Sequence, residues 1–204
     1  MLGRKVQKPR RQPGARGVIL VGFMGAGKSS VGRALAEQLG WTFEDLDDRV
    51  ERREGRKVPE IFRDSGEVGF RRAEHAALKE LMRELQSAPK RIVALGGGAF
   101  VQKENARLVA AGRVPTIFLD AGVEDLWRRC RQQDEREGIE RPLRGSLERF
   151  GELYEARRRH YLKASFRQET GGKSVAEIVT EVIEALGLEQ RRGDRRREQR
   201  GEKW

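Results

Sequence analysis

The residues of this chain best suited to chemistry lie between positions 22 and 30, which read GFMGAGKSS. Gly22, Gly27, Lys28 and Ser29 satisfy the pattern G-x-x-x-x-G-K-[ST], whose glycines let several backbone N–H groups converge on phosphate oxygens. The lysine of this pattern reaches the β and γ phosphates of a nucleotide, and the hydroxyl after it binds Mg²⁺. We therefore predict that ATP is bound by Gly25, Ala26, Gly27, Lys28, Ser29 and Ser30.

Two carboxylates, Asp45 and Asp47, stand one residue apart just after a short apolar segment. Side chains two positions apart on a strand point the same way. One carboxylate could then assist the metal while the other accepts a proton from a substrate hydroxyl. An isolated pair of this kind is more often a solvated acidic turn, so the rest of the chain must decide.

Three short apolar runs could form the elements that position these residues. They occupy residues 18–21, 92–95 and 116–119, are rich in β-branched residues and lack polar alternation, as strands buried on both faces of a parallel sheet do. Residues 31–39 and 73–85, which lie between them, have apolar side chains at helical spacing. Alternating strands and helices predict an α/β sheet with right-handed crossovers.

Three further segments could complete this fold, and one polar segment interrupts the alternation of strands and helices. Residues 43–46 and 164–167 could add two edge strands, and residues 176–186 a closing helix. Residues 131–149 have almost no apolar content, so they cannot pack as a core element. We expect that this stretch is either disordered or a mobile functional loop.

The charge is concentrated at the two ends of the chain. The 204 residues, long enough for one domain, carry a net charge of +11. Residues 1–16 contain six basic residues and no acid, and residues 189–204 contain seven basic and four acidic residues. The part from 17 to 188 is close to neutral, so we interpret it as one domain between two charged disordered tails, and we expect no nucleic acid partner.

The single cysteine, Cys130, excludes an intramolecular disulfide and fits a reducing compartment. No apolar run approaches the length needed to span a membrane. We therefore expect a soluble cytoplasmic protein with no membrane partner; we also expect a monomer.

Five segments resemble the shikimate kinase family and occur in the family's order. They read GFMGAGKSSVGRALAEQL, FEDLDDRVERREGRKVPEIFRDSGEVGFRRAE, ALGGGAF, RPL and RRRHY. The resemblance implies a P-loop, nucleoside-monophosphate-kinase-like α/β/α fold of three layers, with a five-stranded parallel sheet and a mobile lid. It also implies transfer of the γ-phosphate of ATP to the 3-hydroxyl of shikimate, in the route to chorismate and the aromatic amino acids.

The resemblance assigns catalytic roles to Lys28, Asp47 and Arg141. Asp47 matches the family aspartate that holds the shikimate hydroxyls and accepts the proton. Asp45 matches the aspartate in the outer shell of Mg²⁺, with Ser29 as the inner ligand. Arg141, in RPL, matches the lid arginine that contacts the transferring phosphate of ATP.

On the acceptor side, Arg71 and Arg157 match the family arginines that bind the substrate carboxylate, with Glu74 orienting Arg71. Two arginines can clamp one carboxylate bidentately, which fixes its orientation. The resemblance places substrate against the backbone of Gly96, Gly97 and Gly98. It places Arg129 and Lys173 at the adenine pocket.

Two alternatives remain at this point. A related small-molecule kinase, such as a gluconate kinase, shares the phosphate loop and the fold. A P-loop nucleotide switch or nucleic-acid-associated module would use the basic tails instead.

Overall fold

The apolar runs of the sequence form the strands of one sheet in the computed structural model, which describes residues 16–87, 90–137 and 146–188. Within these ranges the strands are β1 (Gly17–Val21), β2 (Thr42–Asp45), β3 (Arg91–Ala94), β4 (Thr116–Asp120) and β5 (Phe166–Glu169). They are all parallel and lie in the order β2-β3-β1-β4-β5. The predicted five-stranded parallel sheet is confirmed.

The position of each strand follows from its composition. Every residue of the central strands β1 and β4 is buried, because helices cover both faces of the sheet. The edge strands are more exposed: no residue of β2 is fully buried, and only one residue of β5 is. The three apolar runs thus lie at the centre, and the two weaker segments lie at the edges as predicted.

Seven helices connect or follow these strands in the described ranges. They are α1 (Lys28–Leu39), α2 (Leu46–Glu54), α3 (Val58–Ser87), α4 (Lys103–Ala111), α5 (Val123–Glu137), α6 (Leu147–Tyr161) and α7 (Val175–Leu186). Helix α1 packs against α7, α3 against α4, and α5 against α6. With right-handed crossovers, this strand order places α1 and α7 on one face and α3 to α6 on the other.

Two helices differ from what the sequence led us to expect. Leu46, expected as the end of a strand, begins α2 because the carboxylate of Asp45 accepts the N–H of Asp47 at 3.1 Å and caps the helix. Asp47 therefore lies in the first turn of a helix, and the strand geometry expected for the two aspartates is wrong. Helix α3 contains a kink at Gly66, whose φ of 64° and ψ of −174° are open to glycine only.

The polar segment 131–149 is only partly a connection. Residues 131–137 continue α5, and residues 147–149 begin α6 after Ser146, whose hydroxyl accepts the N–H of Arg149. Long polar side chains such as Arg, Gln and Glu have high helix propensity, so a solvated helix extends beyond its buried part. Residues 138–145 lie outside the described residues.

No helix among the described residues is both long and apolar enough to cross a membrane.

Candidate active site

The phosphate loop joins β1 to α1, and its backbone is arranged to receive an anion. Gly27 has a φ of 84° and immediately precedes Lys28, the first residue of α1. No side chain of the described residues caps this helix start, so its free N–H groups remain available to a phosphate. Nζ of Lys28 donates to the carbonyl oxygens of Gly22, at 3.0 Å, and Phe23, at 2.9 Å. The ammonium group thus lies within the loop that would bind the phosphates.

A cleft of about 430 Å³ opens beside this loop, at the carboxyl ends of the strands. Of the residues predicted to bind ATP, its lining includes Gly25, Gly27, Lys28, Ser29, Ser30 and Arg129. Ala26 is buried under the loop. Asp45, Asp47, Gly96 and Gly97 line the same cleft. The structure therefore places predicted donor and acceptor residues around one space.

A larger groove of about 890 Å³ lies over the edge strand β2. Its charged side chains are paired with one another: Glu44 accepts hydrogen bonds from Arg49, Arg52 and Arg91, at 2.6–3.1 Å. Because these ion pairs satisfy the groove's own charges, the smaller cleft is the better candidate for chemistry.

The donor atoms expected for Mg²⁺ meet at the base of the cleft. The hydroxyl of Ser29 donates to Oδ2 of Asp45 at 2.9 Å. No group of three or more His, Cys, Asp or Glu side chains that could hold a metal occurs in the described part of the chain. Mg²⁺ takes one or two protein oxygens and completes its shell with phosphates and water. Ser29 and Asp45 fit that requirement.

Asp47 is the most perturbed carboxylate of the cleft. Its Oδ1 is buried and has no hydrogen-bond partner among the described residues. Burial raises the pKa of Asp47 to about 6, and the neighbouring charge of Asp45 adds to the rise, while Lys28 and Arg71 oppose it. A carboxylate with an open lone pair and a raised pKa is suited to accept a proton from a hydroxyl.

Arg71 lies on α3 and is held by two glutamates. Its Nη1 donates to both carboxylate oxygens of Glu74 at 3.0 Å, and its Nε donates to Glu67 at 3.3 Å. Glu74 is only 1% exposed. Burial raises its pKa, and the charge of Arg71 opposes that rise. The guanidinium is thus oriented by a buried partner, as the sequence led us to expect for Glu74.

The three glycines after β3 each lie against a different predicted substrate residue. A Cβ on Gly96 would lie 2.7 Å from Oδ1 of Asp47, and a Cβ on Gly98 would lie 2.5 Å from Nη2 of Arg71. A Cβ on Gly97 would lie 3.9 Å from Nη1 of Arg157. Residues far apart in the sequence therefore converge on one backbone turn, and a side chain at Gly96 or Gly98 would displace Asp47 or Arg71.

Arg157 projects from α6 towards the same turn. Its guanidinium lies over the ring of Phe23, 5.8 Å from the centroid. Phe23 belongs to the phosphate loop and also packs edge-on against Phe150 of α6, at 5.0 Å. The substrate-side helix and the phosphate loop are therefore in direct contact.

A family model described as "Shikimate kinase" matches residues 24–187, which include every residue of the cleft. The chain belongs to the shikimate kinase family. A shikimate kinase of Persephonella marina is 38% identical over 168 residues, covering 82% of this chain and 97% of that protein. A shikimate kinase of Thermus thermophilus is 42% identical over 172 residues, covering 83% and 89% of the two chains.

Solved structures separate the family from its fold relatives. The shikimate kinase of Acinetobacter baumannii in complex with shikimate has a TM-score of 0.74 and 32% identity, covering 85% of this chain and 93% of its own. A gluconokinase of Sinorhizobium meliloti reaches a TM-score of 0.53 at 20% identity, covering 87% and 94%. That second likeness shows a shared fold alone.

Of the remaining positions suggested by the family resemblance, only some line the cleft. Arg129 lines the cleft and donates from Nη2 to the carbonyl of Thr170 at 2.8 Å, next to the loop before α7. Lys173 is not part of the cleft lining, and its Nζ donates to Glu181 of α7 at 2.6 Å. Arg141 lies outside the described residues.

One buried residue beside the site was not predicted to act there. Tyr161 is fully buried, and its hydroxyl donates to the carbonyl of Gly97. In the sequence it is only an aromatic residue four positions after Arg157, a spacing that a packing residue would also show. No local signal distinguishes a tyrosine that supports a site from one that fills a core.

Proposed function

We propose that this chain transfers the γ-phosphate of ATP to the 3-hydroxyl of shikimate, giving shikimate 3-phosphate and ADP. The observation that carries the proposal is the turn of Gly96, Gly97 and Gly98, which gathers Asp47, Arg71 and Arg157 beside the phosphate loop. Shikimate has one carboxylate and three hydroxyls. Two arginines and a buried carboxylate beside one turn match that pattern of charge and hydrogen bonding.

The roles we propose follow from these contacts. Arg71 and Arg157 bind the carboxylate of shikimate, while Asp47 holds the hydroxyls and accepts the proton of the attacking one. Lys28 stabilises the charge that develops on the transferring phosphate. Mg²⁺, held by Ser29 with Asp45 in its outer shell, would neutralise phosphate charge. Arg141 would add positive charge from the lid, and Arg129 and Lys173 would contact the adenine side.

We also propose that the enzyme is a monomer of the cytoplasm, with ATP and shikimate as its only required partners. The single cysteine, which is buried, suits a reducing compartment.

An ADP-release assay with shikimate, quinate and gluconate tests the proposed function. We expect turnover that depends on shikimate, with quinate and gluconate far weaker, because the arginine pair and Asp47 must engage one rigid ring together. Normal ATP binding without shikimate-dependent turnover would contradict the proposal. A preference for gluconate would assign the chain to the related sugar-acid kinases.

Two arginines of α6 provide a matched pair of variants for the same assay. Arg157 faces the glycine turn, whereas Arg159 is exposed. Arg157→Gln should raise the KM for shikimate by at least about tenfold, since a charge-assisted hydrogen bond contributes about 1.5–3 kcal/mol. Arg159→Gln should leave the KM unchanged. Equal effects of the two substitutions would argue against a carboxylate site at Arg157.

A further inference from the structure

Tyr161, the last residue of α6, is buried beside Gly97 of the glycine turn. It is 0% exposed, and its ring packs on Phe118 of the central strand β4, at 5.3 Å between centroids. Burial raises the pKa of Tyr161 to about 12, although the charge of Arg157 opposes the rise. The hydroxyl therefore stays protonated at neutral pH and can donate.

This hydroxyl lies where two groups from distant parts of the sequence meet. It donates to the carbonyl of Gly97, and Arg157 lies beside the same glycine, since a Cβ on Gly97 would be 3.9 Å from Nη1 of Arg157, one helical turn earlier than Tyr161 on α6. Gly97 is also where the glycine turn meets the phosphate loop, because a Cβ there would lie 3.7 Å from both the carbonyl oxygen of Gly22 and the backbone nitrogen of Met24.

We propose that Tyr161 is a positioning residue of the phosphoryl-transfer site, whose hydroxyl holds Gly97, and with it the glycine turn beside the guanidinium of Arg157, in the geometry that binds the carboxylate of the acceptor. The inference deepens the proposed function and rests on it. Tyr161 acts through Arg157 and the glycine turn, with no contact to the reacting atoms required. Without the hydroxyl, the Gly97 carbonyl loses its donor, and the turn against which Arg157 lies is no longer held in place.

Tyr161→Phe removes the hydroxyl and keeps the ring on Phe118. We expect the KM for shikimate to rise about five- to tenfold, with the KM for ATP unchanged, because a misplaced guanidinium weakens acceptor binding only. Titration of the nucleotide-free enzyme with shikimate should show the same loss of affinity. An unchanged shikimate KM in a folded Tyr161→Phe enzyme would overturn the proposal.

Tyr154→Phe is the matched control. Tyr154 is the other tyrosine of α6, is also buried, and donates its hydroxyl to Asp120 at 2.6 Å and not to the glycine turn. Its removal should lower the melting temperature and leave the shikimate KM as it is. A similar rise of KM in both variants would mean that Tyr161 acts only through the stability of α6, and would overturn the positioning role.

A double-mutant cycle shows whether Tyr161 acts through Arg157. In an Arg157→Gln background, Tyr161→Phe should cause little further loss of kcat/KM for shikimate, because the residue it positions is gone. Additive losses would contradict the proposed mechanism. The unsubstituted enzyme, measured in the same assay, distinguishes the two proposals. If it shows no shikimate-dependent turnover, the proposed function is rejected. If it turns over normally and Tyr161→Phe has the same shikimate KM, only the role of Tyr161 is rejected.

Discussion

At the scale of single residues, the site depends on a carboxylate whose burial makes its ionised form unfavourable. Asp47 has a buried oxygen without a partner among the described residues and a pKa raised to about 6. Lys28 and Arg71 supply positive charge nearby but do not cancel the cost of burial and of Asp45. A base that is ionised at neutral pH, yet is poorly solvated, gains from a hydroxyl donor that enters the cleft.

The first prediction concerns the pH dependence of turnover. If Asp47 accepts the proton, kcat/KM for shikimate should fall as the pH drops through about 6, the pKa of this carboxyl in the free protein. The measurement is a pH–rate profile between about pH 5 and 8, in mixed buffers of constant ionic strength. A profile that stays flat down to about pH 5 would contradict the assignment of Asp47 as the base.

A second prediction concerns stability at the same residue. A carboxyl whose pKa is raised on folding binds more protons in the folded state than in the unfolded state, so stability falls as the pH rises from about 4 through 6. Asp47→Asn removes this loss. It should abolish transfer, leave ATP binding nearly intact, and stabilise the protein at pH 7 by up to about 3 kcal/mol, since one pKa unit corresponds to about 1.36 kcal/mol.

Urea unfolding at several pH values tests this second prediction. The gain from Asp47→Asn should be complete above about pH 6 and should disappear near pH 4. Asp48→Asn, at the exposed neighbouring aspartate, is the control and should change neither activity nor stability by much. Loss of ATP binding in Asp47→Asn would mean that the aspartate serves the donor side.

At the scale of elements, the turn after β3 is the part on which the site is built. Its glycines are close to three side chains from three helices: Asp47 of α2, Arg71 of α3 and Arg157 of α6. A parallel sheet brings the carboxyl ends of its strands to one edge, which explains why this turn and the phosphate loop meet. The kink of α3 at Gly66 lies five residues before Arg71 and changes the direction of that helix.

Gly98→Ala tests whether the turn is needed for shikimate binding or for the stability of the fold. Gly98 has a φ of −98°, which alanine tolerates, but its Cβ would meet the guanidinium of Arg71 at 2.5 Å. The end of the arginine can move at little cost in folding free energy, so the melting temperature should change little. The shikimate KM should rise at least about tenfold, because a misplaced arginine loses its charge-assisted bonds.

Gly122→Ala is the control for this variant, because a Cβ on Gly122 would contact nothing within 4 Å. Kinetics and thermal unfolding of both variants are the measurements. A large drop in melting temperature with an unchanged shikimate KM for Gly98→Ala would show that the turn supports the fold and does not determine the position of the Arg71 guanidinium.

At the scale of the whole molecule, most of the net positive charge and the candidate active site lie in different parts of the chain. The cleft lies in the nearly neutral part between residues 17 and 188, whereas the first sixteen residues are strongly basic. Every described residue of the site is positioned by the sheet and by helices packed on it. We therefore predict that neither terminal segment is needed for catalysis.

Removal of residues 1–15 and 189–204 tests this separation. We expect kcat and both KM values to stay within about twofold of those of the full chain, since charged termini of this composition contribute no packed core. Turnover and binding to RNA and DNA should be measured at about 50 and about 200 mM salt. Salt-sensitive nucleic acid binding that disappears on trimming, with kinase activity lost as well, would favour a nucleic-acid-associated module.

The sequence alone determined the features that depend on neighbouring residues. The phosphate loop is a local motif, and the alternation of apolar runs with helical spacing led to the correct sheet, because burial on both faces requires apolar strands. The roles of Asp47, Arg71 and Arg157 came from a resemblance in order and spacing. Those roles stay predictions, although the structure brings the three side chains to one turn.

Only the tertiary structure decided what depends on residues distant in the chain. It placed Asp47 in a helix, because the cap formed by Asp45 was stronger than the strand pattern, and it raised the pKa of Asp47 through burial. It paired Lys173 with Glu181 and put the hydroxyl of Tyr161 on Gly97. Burial and electrostatic environment are set by contacts across the fold, so no short stretch of sequence can specify them.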